Sequence, residues 1–294
     1  MSGYIKGVDV SEHNGVIDWN KVKASGIGFA MLRGGYGQTV DKQFQRNASE
    51  CNRLGIPIGV YWFSYALNNV GAIREAIRCL EAIQPYKIDY PIAFDLEYDS
   101  VNYAQKQGVF IGMELASGMA RAFCQTLQDA GYTAMNYANP DYLNRYFDER
   151  VQTEFPVWLA QWPNGTPNLD KPPRTCGIWQ YSEKGSVPGI SGPVDLDVCY
   201  GTYPKKEEGE KDNMTQEKFN QMFKTAMDAY RADLRDNDNS AWSQAAREFA
   251  VENGIITGAG TGPDGKPNFM WEDLMTREQA VQMLLRFAKL AGLT

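Results

Sequence analysis

Over its first 200 residues the chain alternates short β-rich runs with amphipathic helical stretches, and this alternation limits the fold more than any other feature. Residues 5–10, 28–33, 58–63, 91–97 and 133–137 read as strands. Between them, Asp18 caps a short helix carrying Trp19 and Val22, a second helix ends near 54–55, and others are predicted over 70–83 and 112–130. Past residue 137 the helical stretches shrink, and 156–162, 177–181 and 194–198 read as strands separated by loops. Strand–helix alternation at this pitch implies parallel strands, and about eight of them imply a closed barrel. The expected class is therefore α/β, an irregular TIM-like barrel short of helices at its end. An open doubly wound sheet is the alternative, but the sequence carries neither G-x-G-x-x-G nor a P-loop.

The pattern stops near residue 204. Residues 205–214 are charged and almost free of apolar side chains, as a linker between domains should be. Helical patterns follow over 215–234, 242–253 and 276–290, with a Gly/Pro-rich loop running up to Phe269. The expectation is a barrel domain over 1–204 and a small α-rich domain over 215–294. At 294 residues the chain is long enough for both to bury a core.

Charge and composition remove several function classes. The barrel region holds 17 basic and 21 acidic residues and the remainder 12 and 15, so both parts are mildly acidic. Phosphate contacts need a basic footprint, so no nucleic-acid partner is expected. No apolar run approaches the roughly 20 residues that span a bilayer, and no membrane partner is expected. The first residues lack the charged and apolar segments of a signal peptide. The five cysteines (Cys51, Cys79, Cys124, Cys176, Cys199) show no C-x-x-C spacing and read as buried free thiols. His13 is the only histidine, which excludes a zinc site built on two histidines and leaves a Ser-His-Asp or Cys-His arrangement only around that residue. If the chain is a hydrolase, carboxylates are its tools, and no cofactor is expected.

Barrels of this kind carry their active residues at the C-terminal ends of strands. Asp9 falls there on the first strand, Asp95 and Glu97 on the fourth, and Asp195 and Asp197 on the last. First and last strands of a closed barrel are neighbours, which brings Asp9 and Asp195 together. Asp95 and Glu97, two apart on a regular strand, point to one face roughly 6.5–7 Å apart. Crowded carboxylates raise one another's pKa, and a protonated acid beside an ionised one is what glycosidic cleavage requires. For Asp9 alone, capping through Ser11 and Glu12 is the stronger reading. For Asp195 and Asp197 the capping and catalytic readings are even. Asp95 and Glu97 end an apolar run, where a charge is costly without a purpose. A hard-cation site is the rival for these acids, and no metal is assigned.

Aromatic side chains gather at the same ends: Tyr36, Tyr61, Trp62, Tyr65, Tyr98, Tyr137, Trp158, Trp162, Trp179 and Tyr181. Flat faces of this kind match sugar rings. Trp158 and Trp179 sit mid-strand and are assigned to the core.

Gly7-Val8-Asp9-Val10-Ser11 and Asn14-Gly15-Val16-Ile17-Asp18-Trp19 resemble the opening of the glycoside hydrolase family 25 lysozymes. The likeness continues in order through Gly59-Val60-Tyr61-Trp62-Phe63, Phe94-Asp95-Leu96-Glu97, Tyr137, Trp158-Leu159-Ala160, Trp179-Gln180-Tyr181 and Val194-Asp195-Leu196-Asp197, covering roughly residues 4–203. It implies five β/α units followed by three strands, and cleavage of the β-1,4 bond from N-acetylmuramic acid to N-acetylglucosamine. It also implies Glu97 as general acid, Asp95 as its partner, and Asp9 with Asp195 completing the cluster, Asp197 in reserve. Candidate substrate-binding residues are Tyr61, Trp62, Tyr137, Gln161, Trp162, Tyr181 and Asp197. Residues 242–258 and 275–287 resemble an S-layer homology module, which implies secondary cell-wall polymer, besides peptidoglycan, as a partner, or self-association of two or three chains. With no leader recognised, the whole reads as a phage endolysin held in the host cytoplasm until release, with an extracellular or wall-located bacterial autolysin as runner-up. A non-catalytic glycan-binding protein on the same barrel is the alternative from another class.

Overall fold

The computed structural model describes residues 3–201, 203, 224, 241–258, 260, 261, 265, 267–271 and 275–293. The chain divides into two compact units, Met1–Phe219 and Asn220–Thr294. The first unit runs β1 (Ile5–Val10), α1 (Trp19–Ala24), β2 (Phe29–Tyr36), β3 (Thr39–Val40), α2 (Phe44–Leu54), β4 (Ile58–Phe63), α3 (Asn69–Ile83) and β5 (Ile92–Asp95). It continues through α4 (Tyr98–Lys106), α5 (Met113–Asp129), β6 (Ala134–Ala138), α6 (Pro140–Arg145), α7 (Glu149–Glu154), β7 (Val157–Ala160), β8 (Ile178–Gly185) and β9 (Val194–Cys199).

Strands β1, β2, β4, β5, β6, β7 and β8 follow one another in parallel, and β9 closes the ring antiparallel to both β8 and β1. β3 pairs only with β2, as a hairpin outside the ring. The result is an eight-stranded closed barrel of five β/α units and three final strands. The sequence expectation missed β3 and α4 and carried the fourth strand two residues too far. That strand stops at Asp95 because the Glu97 amide donates to Ser100 Oγ (3.1 Å) and caps α4 instead of joining the ladder.

Strand alternation separates two environments. One inward layer is apolar: Phe29, Met31, Ala93, Met135, Trp158, Ile178 and Cys199 fill the barrel. Small partners make room for the large ones. A Cβ on Gly7 would meet the Phe29 ring at 2.3 Å, and one on Gly59 would meet the Met31 sulfur at 2.5 Å. Outward side chains are covered by helices, as where Phe94 packs on Phe123 of α5 with centroids 5.3 Å apart. All five cysteines are free thiols, four of them buried and Cys176 half-buried.

In the second unit two α-helices are described, α8 (Gln244–Glu252), preceded by a 3-10 turn at Ala241–Ser243, and α9 (Arg277–Leu290), matching two of the three helical patterns. Thr276 and Gln279 form a capping box at the start of α9, and Arg286 donates to the Ile255 carbonyl (3.0 Å) in the turn after α8. The linker expected at 205–214 lies outside the described residues, as does the helix expected at 215–234 apart from a helical Lys224. Among the described residues no helix is long and apolar enough to cross a membrane.

Candidate active site

One step along each strand from the apolar layer, the barrel interior becomes polar. Asp9 lies two residues past Gly7, Arg33 two past Met31, Tyr61 two past Gly59 and Asp95 two past Ala93. Tyr137 lies two past Met135, Gln180 two past Ile178, and Asp197 two before Cys199 on the reversed strand. The period of two that buries the apolar side chains therefore carries these polar ones to the C-terminal mouth.

Five acids meet there. Asp9 stands beside Asp195 in the β1–β9 register, and Asp195 and Asp197 share a face of β9. In strand order β5 lies across the ring from β9, so Asp95, with Glu97 just past its strand, faces that group. The capping alternative for Asp9 fails: Ser11 supplies the cap, accepting from the His13 amide (3.3 Å), while Gln180 Nε2 donates to Asp9 Oδ2 (2.8 Å). Trp158 Nε1 donates to Asp197 Oδ1 (2.8 Å). Asp95 is 2% exposed and its Oδ1 has no hydrogen-bond partner.

Burial is the first cause of every shift in this cluster, and repulsion between the acids adds to most of them. It holds Asp9 well above the carboxylate range, with Asp197 and then Asp195 adding to it. It holds Asp95 well above that range too; Glu97 adds to this and the Arg33 guanidinium opposes it. Glu97 is pushed up to about 7, by burial and then Asp195. Asp195 reaches about 6, and Asp197 about 7 against the pull of the Trp158 N–H. Near neutral pH the cluster keeps several of its protons, which places neutral acids next to carboxylates.

Arg33 is the site residue that sequence reasoning missed. It is the inward cation, 11% exposed, bonded through Nε to Asp41 Oδ2 (2.7 Å) and through its other arm to Glu12 Oε1 (3.2 Å). Its guanidinium also sits 5.2 Å from the centroid of the Tyr36 ring. A signal existed in the sequence, an arginine ending the apolar run 29–32, but its acidic partners lie in separate loops.

The aromatic expectations divide. Tyr61 and Tyr137 face inward, their rings against Trp158 at 5.7 and 4.9 Å, and Tyr137 OH donates to Gln180 Oε1 (3.3 Å). Trp162, half exposed, reaches the same oxygen through its indole (3.2 Å), and the Gln161 amide donates to the Gln180 carbonyl (3.1 Å). Trp62 does not join them. It is fully buried on the outer side of β4, where its N–H donates to the Gly37 carbonyl (2.9 Å). Tyr181 is also displaced: its ring lies 6.0 Å from that of Trp179, on the face of β8 opposite Gln180. Asp197 is fully buried, with its Oδ1 held by the Trp158 indole. Trp158 and Trp179 are core, as expected. His13 lies exposed on the turn after β1. No set of three or more His, Cys, Asp or Glu among the described residues is arranged to hold a metal ion.

A closed barrel with crowded acids at its mouth holds the paired carboxyl groups that glycosidic cleavage uses. The particular assignment follows from comparison. Residues 8–190 match the glycosyl hydrolases family 25 profile, and the chain belongs to that family. It is 29% identical over 196 residues to the autolytic lysozyme of Clostridium acetobutylicum, covering 66% of this chain and 55% of that one. The modular autolysin LytC of Streptococcus pneumoniae, solved with a synthetic peptidoglycan ligand, superposes with a TM-score of 0.58 at 31% identity. That match covers 67% of this chain and 47% of that chain, so the present chain spans about half the length of these two relatives. A family 25 glycosyl hydrolase from Bacillus anthracis aligns at 25% identity and a TM-score of 0.54, covering 72% of this chain and 94% of its own.

Proposed function

We propose that this glycoside hydrolase is a muramidase, cleaving the β-1,4 bond between N-acetylmuramic acid and N-acetylglucosamine in peptidoglycan. The observation that carries the reading is Asp95 and Glu97 at the mouth end of β5, facing Asp9 and Asp195 in a family 25 barrel. The transferable proton is assigned to Glu97, which stands just past the strand end and is less buried than Asp95; burial holds Asp95 higher still, but Asp95 has only to offer an acceptor oxygen. Glu97 then protonates the leaving glycosidic oxygen as the C1–O bond breaks. Asp95 accepts the N–H of the substrate's own acetamido group, whose carbonyl oxygen attacks C1 from the opposite face. Water opens that intermediate, with Glu97 now acting as base, and the configuration at C1 is retained. Asp9 and Asp195 complete the polar wall, and Tyr61, Tyr137, Gln161 and Trp162 contact the sugars.

Glu97→Gln tests the assignment: loss of wall turnover with retained wall binding is expected, and unchanged turnover would refute it. Retained binding alone in the wild type would favour the glycan-binding reading. Hydrolysis in labelled water tests this route: net inversion would exclude acetamido assistance and a covalent bond from Asp95 to the sugar alike.

The unit Asn220–Thr294 is proposed as a wall-binding or self-associating module of S-layer-homology type, supported by the sequence likeness and the two described helices. Light scattering showing a monomer at working concentration would remove self-association. The two-part organisation supports an endolysin, whereas the relatives named autolysins support a bacterial autolysin. Expression confined to phage production, or present in uninfected growth, separates the two.

A further inference from the structure

Glu75 is a buried acid that the proposed chemistry does not use. It lies on α3, outside the barrel and 1% exposed, at the back of the turn that follows β4. Its Oε1 accepts the Tyr65 amide (2.8 Å), and the Ser64 hydroxyl and Ala66 amide lie beside it. Its Oε2 is buried without a partner. Burial pushes this carboxyl up to about 8, so near neutral pH it is mostly an uncharged acid that still offers an acceptor oxygen.

The turn it holds borders the mouth on two sides. The Ser64 amide donates to the Asp95 carbonyl (2.8 Å), tying the turn to the strand end that carries the acid. Tyr65 OH donates to Asp99 Oδ2 (2.6 Å) on α4, and its ring meets Tyr103 at 5.0 Å and Phe63 at 5.2 Å. Three consecutive residues therefore link a buried acid, the Asp95 backbone and an aromatic edge of the rim. An apolar residue at position 75 would satisfy α3 packing equally well. It would leave the Tyr65 amide without its acceptor, while the Ala66 amide keeps Ser64 Oγ (3.2 Å).

We propose that Glu75 is a positioning residue for substrate binding, holding the Ser64–Ala66 turn from behind so that Tyr65 presents a fixed face to the glycan beside Asp95. The proposal rests on the muramidase reading for the identity of the glycan, but not for the existence of the turn. The test compares Glu75→Gln with Glu75→Ala in the full chain. The carboxamide keeps the acceptor oxygen, so KM on purified peptidoglycan should stay within about twofold of wild type. Alanine should raise KM by about tenfold with kcat within about threefold, because Glu97 and Asp95 stay in place. Combined with Tyr65→Ala, it should add little further. Amide hydrogen exchange at Tyr65 should speed up at least tenfold in the alanine variant alone. A fall in Tm with unchanged KM and unchanged exchange at the Tyr65 amide would overturn the proposal, as would failure of the glutamine variant to rescue KM. If the wild type cuts no wall glycan, the muramidase reading fails by itself. Exchange, together with binding of soluble peptidoglycan fragments, still decides the role of Glu75.

Discussion

The two inward layers of the barrel are built by the same strands two residues apart, yet they obey opposite rules. The lower one, from Phe29 to Cys199, is an apolar packing in which glycines make room for large side chains. The upper one concentrates the buried Asp9, Asp95 and Asp197 and the half-buried Asp195 around Arg33 and Gln180. Crowded acids are a cost to the fold, since each would be ionised in the unfolded chain near neutral pH. The lower layer stabilises the barrel, and the upper layer uses that stability to keep acids protonated where a proton donor is needed. One residue of slip in any strand would exchange the layers' roles with the outer face, so the register that builds the core also builds the site.

Substitutions break the comparison in order of size. Asp95→Asn should lower kcat by about 10²–10³-fold, the cost of losing one preorganised electrostatic partner, without loss of stability. Met135→Ala, in the lower layer, should do the reverse: a loss of about 2–5 kcal/mol by denaturant unfolding, with kcat nearly unchanged below the transition. The pH profile sharpens the contrast. Because Glu97 is held at about 7 and acts protonated, kcat/KM should fall about tenfold per pH unit above that value. Stability should follow the same sign. Asp197 has a folded pKa raised to about 7 from 3.8, so the folded state binds the extra proton between those values and stability declines as pH rises through that window. Asp197→Asn keeps an acceptor for Trp158. It should raise Tm at pH 7.5 by about 2–4 °C, the shift that 1 kcal/mol brings to a domain of this size, and the gain should shrink at pH 4.5.

Much of this was legible in the sequence, because both layers are written in local periods. Alternation fixed which residues of β5 and β9 face inward, and closure of the barrel then put Asp9 beside Asp195. Trp62 misled, since aromatic residues at a strand end look alike until the β2–β3 hairpin supplies the Gly37 carbonyl and covers the indole. Tyr181 misled for a related reason: it was taken as one of the aromatic residues at a strand end, whereas alternation along β8 sets it with Trp179 on the face opposite Gln180. Arg33 and Glu75 were not singled out because their partners are distant: Asp41 and Glu12 for one, the β4–α3 turn for the other. Pairings between loops leave no period in the chain. α4 escaped because Glu97, read as the end of a strand, is also the start of a helix.

The most direct test digests purified peptidoglycan with the wild type and with Glu97→Gln and identifies each new reducing end. The account predicts N-acetylmuramic acid at the new ends with the wild type and a rate lower by about 10²–10⁴-fold with the variant. N-acetylglucosamine at those ends, or equal rates for the two proteins, would contradict it.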